Sequence, residues 1–227
     1  MNLENLITKE LEHHLLATTN SISKSSSQIQ SAGELITNGF KFQPRKKLFL
    51  FGNGGSAADA QHITAEFTNR YSIDRIPLPA IALTTDTSAI TAISNDFGYN
   101  QIFEKQLKAL ANEGDTALGI STSGKSENVI NGLNTANSLG LKTILLTGNN
   151  KLNYPNIDIV IKVDSKSTPR IQEVHILIGH ILCQIVDESF KNMKVNKNRV
   201  TNKKGQNNNK RSSPSVSSFK SISEMNF

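Results

Sequence analysis

Residues 48–66, LFLFGNGGSAADAQHITAE, constrain the fold more than any other part of the chain. They open with four consecutive apolar residues, a length that suits a buried β-strand. Gly54 and Gly55 then allow a tight turn that brings backbone N–H groups close to a ligand, and Ser56 is a favourable N-cap for a helix. Because a helix N-terminus attracts anions, typically phosphate, the stretch predicts a strand, an anion-binding turn and a helix.

His62 and Glu66 lie four residues apart on that predicted helix. This spacing puts the imidazole and the carboxylate on one face. Such a pair is either a surface pair that supports the helix or a catalytic or metal-binding pair. The spacing alone leaves both interpretations open.

Strand-like runs alternate with helical stretches along most of the chain. The strand-like runs are at residues 47–51, 79–83, 116–120, 142–146 and 157–163, and the helical stretches at 56–69, 86–94, 100–112, 126–139 and 169–190. The first four runs are apolar at nearly every position, as in parallel strands covered on both faces, and the more mixed fifth suits an edge strand. The alternation predicts an α/β fold with a doubly wound, mainly parallel five-stranded sheet. Ligands of such sheets bind at the carboxyl ends of strands, where the strand order reverses.

Two further segments flank the predicted α/β domain, which covers residues 40–190. Residues 1–39 repeat apolar residues at helical spacing, which predicts an N-terminal helical extension that packs on the domain or contacts another subunit. Residues 191–227 are rich in Asn, Ser and Lys, which predicts a disordered basic tail.

Composition separates the tail from the folded body. Residues 191–227 carry nine Lys or Arg and one Glu, so they contribute +8 to the net charge of +6 and the other 190 residues sum to −2. The predicted domain is therefore not expected to bind nucleic acid. One cysteine, Cys183, excludes an internal disulfide and fits a reducing compartment. No signal peptide or membrane span is recognisable, so we expect a cytoplasmic protein.

Polar residues follow the third strand-like run and interrupt the last helix. Ser121-Thr122-Ser123-Gly124-Lys125-Ser126 places four hydroxyls and a lysine before a helix, which suits a phosphate site but also an ordinary capped turn. In the last helix, Gln172, His175 and His180 stand among apolar residues, which favours an interior polar site over three isolated core residues.

Four motifs in this order resemble the phosphoheptose isomerase family, also called sedoheptulose 7-phosphate isomerases, within the wider class of sugar-isomerase (SIS) domains. They are FGNGGSAADAQHITAE, AISNDFGYNQIF, GDTALGISTSGKSENV and RIQEVHILIGHILCQIV. The resemblance covers about residues 1–190. It implies an SIS fold and, because the family is usually tetrameric, a homotetramer.

The resemblance also implies the site. Glu66 and His180 would be the catalytic residues, and one Zn²⁺ per subunit would be held by His62, Glu66, Gln172 and His180. The implied phosphosugar-binding residues are Asn53, Gly54, Gly55, Ser56, Asn95, Asp96, Ser121, Thr122, Ser123, Ser126 and Gln172. Gln172 and His180 are ~12 Å apart along a straight helix, so they converge either on a point between them or from different subunits.

The implied reaction converts D-sedoheptulose 7-phosphate to D-glycero-D-manno-heptose 7-phosphate, the first step toward a nucleotide-activated heptose for a bacterial surface glycan. One alternative is a non-catalytic SIS module that binds a phosphosugar and a protein partner such as a replication initiator. Such modules need not keep Glu66, Gln172 and His180, so their presence favours the enzyme. A third reading is an isomerase for another phosphosugar.

The chain departs from the family pattern in three places. Lys125 replaces a small polar residue, residues 148–156 contain few glycines, and the basic tail has no family counterpart. None of these departures removes an implied catalytic group.

Overall fold

The computed structural model describes residues 2–204, with the side chains of residues 2–191. A 3₁₀ turn at Tyr99–Gln101 precedes the fourth helix. The helices and strands are α1 (Leu3–Lys41), β1 (Leu48–Gly52), α2 (Gly55–Thr68), β2 (Ala80–Ala82), α3 (Thr87–Phe97), α4 (Ile102–Leu110), β3 (Thr116–Ser121), α5 (Glu127–Ser138), β4 (Lys142–Gly148), β5 (Ile159–Val163) and α6 (Thr168–Lys204).

The five strands form one parallel sheet in the order β2-β1-β3-β4-β5. The chain moves outward from β1 to β2, returns past β1 to β3, and continues outward to β5. The strand order therefore reverses between β1 and β3, and the carboxyl ends of these two strands flank the usual ligand crevice of such a sheet. The predicted doubly wound α/β fold is confirmed, and the mixed fifth strand lies at an edge as predicted.

Apolar side chains from both faces of the sheet form two core clusters. On one face, Leu50 and Ile120 pack with residues of α1, α2 and α6. On the other face, Phe49 and Phe51 pack with residues of α4 and α5. This two-sided burial explains why the central strands are apolar at consecutive positions. Cys183 is fully buried in the first cluster.

The predicted N-terminal extension is one long helix, α1, whose two halves differ in burial. Its second half contributes Ile29, Ile36 and Phe40 to the core beside the sheet. Its first half exposes five large apolar side chains, with exposed fractions from 54% to 73%: Leu3, Ile7, Leu11, Leu15 and Leu16. The apolar repeat of the first half is therefore not covered by the part of the chain that the structure describes.

The last helix is longer than predicted. α6 ends at Lys204, whereas the sequence pattern ends its apolar face near Phe190. Residues 191–204, which were predicted to belong to the disordered tail, are thus helical, and the prediction of disorder for residues 205–227 lies outside the described residues. The compact unit that contains the sheet ends at Lys191. Between residues 2 and 204, no helix has the combined length and hydropathy needed to cross a membrane.

Candidate active site

The glycine-rich turn lies at the carboxyl end of β1 and leads directly into α2. Gly54, with φ of 56°, is the N-cap of α2, so the prediction that Ser56 caps the helix is wrong. A glycine reaches this left-handed backbone region without the steric cost that a side chain adds. Ser56 instead lies inside the first turn, where it is buried against Gly52. Its role in substrate binding stays a prediction.

His62, Glu66 and His180 come together on α2 and α6. The Nε2 atoms of His62 and His180 are 3.0 Å apart, and His62 Nε2 lies 3.5 Å from Glu66 Oε1. One ligand atom from each residue falls within 4.8 Å of the others. Tyr71 stacks on the His180 ring with centroids 5.5 Å apart. The helix-face pair found in the sequence is therefore completed by His180, from 118 residues further along.

The donor atoms of this trio fit a zinc ion. Tetrahedral zinc binds His nitrogen at about 2.0–2.1 Å, which separates neighbouring donor atoms by roughly 3.4 Å. The two His nitrogens at 3.0 Å and the Glu66 carboxylate need only small side-chain adjustments to reach that spacing. His62, Glu66 and His180 are the residues that could hold the metal.

Gln172 lies against the start of α2. A Cβ built on Gly55 would be 2.5 Å from Gln172 Nε2, so the glycine makes this close contact possible. The side chain therefore borders the glycine-rich turn. Its role as a zinc ligand stays a prediction.

His175, one turn further along α6, is fully buried, and this burial lowers its pKa to about 4, which keeps the imidazole neutral.

The serine loop, residues 121–126, follows β3 and precedes α5. The Ser121 and Ser126 hydroxyls are hydrogen-bonded at 2.9 Å. The backbone N–H groups of Gly124 and Lys125 donate to the hydroxyl oxygens of Ser121 and Ser123, each at 3.1 Å. The predicted cluster of hydroxyls thus lies at the amino end of a 12-residue helix, a position that favours an anion.

An amide pair joins the glycine-rich turn to α5. Asn53 and Asn128 donate to each other at 2.8 and 2.9 Å, and the Tyr99 hydroxyl donates to Asn53 Oδ1 at 2.9 Å. Asn53 therefore fixes the position of the glycine-rich turn relative to the helix that follows the serine loop. Asn128 and Tyr99 were not singled out in the sequence, because their partner lies on a distant element.

Asn95 and Asp96 lie at the end of α3 and are both exposed. The Asn95 amide donates to Asp96 Oδ1 at 2.8 Å. α3 contains no buried residue, so these two side chains face outward from this chain. Their role in substrate binding stays a prediction.

Asp59 is a further acidic group that the sequence reading missed. It lies one turn before His62 on α2, and its Oδ2 atom is buried without a hydrogen-bond partner among the described residues. Burial raises the pKa of Asp59 to about 6, although the nearby His62 partly opposes the shift. The three-residue spacing to His62 was the available signal.

Arg75 and Asp187 form a buried ion pair that joins α2 to α6. Arg75 Nε donates to Asp187 Oδ1 at 2.7 Å, and both side chains are at most 1% exposed. The same guanidinium donates to the backbone carbonyls of Glu66 and Phe67 at 2.8 and 2.9 Å. The pair therefore fixes the last turn of α2, which carries Glu66, against the helix that carries His180.

Comparison with known proteins identifies a family model and several relatives that this chain resembles. Residues 12–148 match the family model described as SIS domain. The phosphoheptose isomerase of Aliarcobacter butzleri is 48% identical over 190 residues, which cover 83% of this chain and 99% of that protein. The Aquifex aeolicus phosphoheptose isomerase is 57% identical over 143 residues, 63% of this chain and 75% of that protein.

Solved structures agree as well. A phosphoheptose isomerase from Francisella tularensis matches with a TM-score of 0.77 and 36% identity, over 83% of this chain and all of that one. The match to a phosphoheptose isomerase from Neisseria gonorrhoeae has a TM-score of 0.74 and 37% identity, over 82% of this chain and all of that one. Residues 12–148 match the SIS domain, and the chain is 48% identical to a phosphoheptose isomerase along 99% of that protein. The chain therefore belongs to the phosphoheptose isomerase family.

Proposed function

We propose that this chain converts D-sedoheptulose 7-phosphate to D-glycero-D-manno-heptose 7-phosphate, as the first step toward a nucleotide-activated heptose. The observation that carries the proposal is the grouping of Glu66 with His62 and His180 in an SIS fold. The glycine-rich turn and the serine loop end neighbouring strands at the reversal of strand order. These features support an acid–base group held by α2 and α6 and an anion site at the carboxyl ends of β1 and β3.

A ketose-to-aldose isomerisation transfers one proton between two carbon atoms and one proton between the oxygens on those carbons. In the proposed mechanism, the Glu66 carboxylate removes a proton from C1 of the ketose, which gives an enediol, and returns it to C2. His180 moves a proton from the oxygen on C1 to the oxygen on C2. A positioned side chain acting in this way typically accelerates a reaction by ~10²–10⁴-fold.

The serine loop would bind the phosphate of the substrate. Binding energy gained at this non-reacting end positions C1 and C2 for proton transfer. The loop hydroxyls and the amino end of α5 favour a dianion there. Lys125, an exposed residue of the loop, adds positive charge.

A zinc ion held by His62, Glu66 and His180, with Gln172 as the fourth ligand implied by the family, would supply a Lewis acid near the substrate oxygens. We expect a chelator to lower both activity and melting temperature, because a metal that binds only the native state stabilises it by about 2.7 kcal/mol at 100 times its Kd. Because His ligates only as the neutral imidazole, zinc affinity should fall as the pH is lowered.

Elemental analysis of protein purified without chelator, together with melting curves before and after chelation, checks this expectation. His62→Ala should lose the metal and the chelator response, whereas the exposed His13→Ala on α1 should keep both. Metal-free protein with full activity would rule out the zinc proposal while leaving Glu66 as the base.

We also propose that the enzyme is a cytoplasmic homotetramer. The uncovered apolar side chains of the first half of α1 and the absence of buried residues on α3 support subunit contacts on these helices. Light scattering should give four times the chain mass of 24.8 kDa. A monomeric mass at micromolar concentration would contradict the tetramer.

A substrate panel tests the proposed specificity. We expect kcat/KM for sedoheptulose 7-phosphate to exceed that for fructose 6-phosphate and for arabinose 5-phosphate, and unphosphorylated sedoheptulose to react poorly because it cannot use the serine loop. A higher kcat/KM for one of the shorter phosphosugars would assign the chain to that substrate instead.

A further inference from the structure

The segment that links β4 to β5, residues 149–158, packs two side chains against the serine loop. The Tyr154 hydroxyl lies 3.2 Å from the Gly124 carbonyl oxygen. The Asn150 side-chain amide lies 3.4 Å from the Ser123 carbonyl oxygen. Both side chains therefore contact carbonyl oxygens of the loop that is proposed to hold phosphate.

The two side chains are themselves held in place. Asn150 Nδ2 also donates to Thr147 Oγ1 at 3.0 Å and to the Gly148 carbonyl at 3.2 Å. Asn150 Oδ1 lies 3.1 Å from the Tyr154 hydroxyl, whose single proton is shared between this oxygen and the Gly124 carbonyl, and Lys162 Nζ donates to the Asn150 carbonyl at 2.9 Å. Asn150 and Tyr154 thus form a connected brace anchored on β4 and β5.

The glycine in the loop permits this close contact. Gly124 has a φ of 66°, and a Cβ there would collide with the Tyr154 hydroxyl and would be 2.6 Å from Asn150 Nδ2. Residues 148–156 contain a single glycine, Gly148. Where the family resemblance predicts several glycines, this chain therefore carries side chains long enough to reach the serine loop.

We infer that Tyr154 and Asn150 are positioning residues that hold the serine loop in its phosphate-binding conformation. The inference rests on the proposed function, in which the serine loop binds the phosphate. In a trans peptide the carbonyl and the following N–H point in opposite directions. By holding the carbonyls of Ser123 and Gly124, the brace turns the next two N–H groups into the loop, where they donate to the Ser121 and Ser123 hydroxyls.

This orientation matters for an anion in two ways. A carbonyl oxygen that accepts a hydrogen bond from the brace is held in place and does not turn toward the negative charge. A hydroxyl oxygen that accepts an N–H bond still has its own proton to donate, so the Ser123 hydroxyl is directed to act as a donor. Because the loop is already shaped before binding, less ordering is needed when phosphate arrives.

The test compares Tyr154→Phe and Asn150→Ala with the wild type, with Asn153→Ala as a control in the same segment, since Asn153 is exposed. Tyr154→Phe, which removes one neutral hydrogen bond, should raise the KM for sedoheptulose 7-phosphate by about threefold to tenfold. Asn150→Ala, which removes several side-chain contacts, should raise the KM at least as much. The inhibition constant of inorganic phosphate should rise by the same factor. The value of kcat should fall by less than KM rises, and Asn153→Ala should change none of these constants.

A second pair of changes separates this inference from the proposed phosphate site. Ser123→Ala with Ser126→Ala should raise KM more than it lowers kcat, because the phosphate contacts are made before and during the reaction. An unchanged KM in that variant would move the phosphate site elsewhere. If the serine variant raises KM but Tyr154→Phe and Asn150→Ala leave KM and the phosphate inhibition constant unchanged, or alter only the melting temperature, the positioning role is wrong while the phosphate site stands.

Discussion

Replacing Glu66 with Gln should lower kcat by about 10²–10⁴-fold, the usual effect of removing a general base. Gln keeps the size of the side chain but cannot accept the C1 proton. Glu66 is partly buried on α2, and its backbone carbonyl still accepts from Arg75, so we expect the variant to fold. Steady-state kinetics measure kcat of the variant and the wild type. A melting curve and a phosphosugar-binding titration check that the variant folds and binds.

The matched control is Glu34→Gln, because Glu34 is exposed on α1. This change should leave kcat within twofold of the wild type. Near-wild-type kcat in Glu66→Gln would show that another group removes the proton. Among the described residues, Asp59 is then the next candidate, because burial raises its pKa to about 6.

Breaking the buried Arg75–Asp187 ion pair should lower the free energy of unfolding more than breaking an exposed ion pair. Asp187→Asn leaves the Arg75 guanidinium buried without its carboxylate partner, which typically costs about 3–5 kcal/mol. For a chain of this size that corresponds to a fall in melting temperature of roughly 6–20 °C. Glu104→Gln, which breaks the Lys108–Glu104 pair between more exposed side chains, should cost less than about 1 kcal/mol. Equal effects of the two changes would contradict a special role for the buried pair.

The same pair predicts a direction for the pH dependence of stability. Burial alone would raise the pKa of Asp187, but hydrogen bonds from Arg75 and from the N–H groups of Ser72 and Ile73 outweigh it and hold the pKa below 3.8. A carboxyl whose pKa is lowered on folding stabilises the native state above its unfolded-state pKa. Its contribution should be complete above about pH 5 and should be lost as the pH falls below 3.8. Asp187→Asn should remove that part of the acid sensitivity.

The sheet was predictable because strands that are buried on both faces are apolar at consecutive positions. Four apolar runs separated by helical stretches identify parallel strands, and the glycine-rich turn and the serine loop mark the carboxyl ends of β1 and β3. The cap of α2 was not predictable from residue preference alone. Ser56 is the better N-cap by type, but the positive φ of Gly54 starts the helix two residues earlier.

The sequence pattern does not predict the side-chain contacts that hold the site together. Arg75 and Asp187 are 112 residues apart, and Tyr154 is 30 residues from Gly124. No local periodicity links such partners, since their contacts exist only after the sheet and helices have packed. His62 and Glu66 were found because they share one helix face, whereas the approach of His180 depends on how α6 crosses α2.

A proton NMR time course with sedoheptulose 7-phosphate tests the proposed isomerisation most directly. Purified full-length protein should consume the ketose and produce the anomeric signals of D-glycero-D-manno-heptose 7-phosphate, and the same equilibrium mixture should form from the aldose. Protein that binds sedoheptulose 7-phosphate, as judged by calorimetry, yet leaves its spectrum unchanged with zinc present would contradict the isomerase and favour a phosphosugar-binding module.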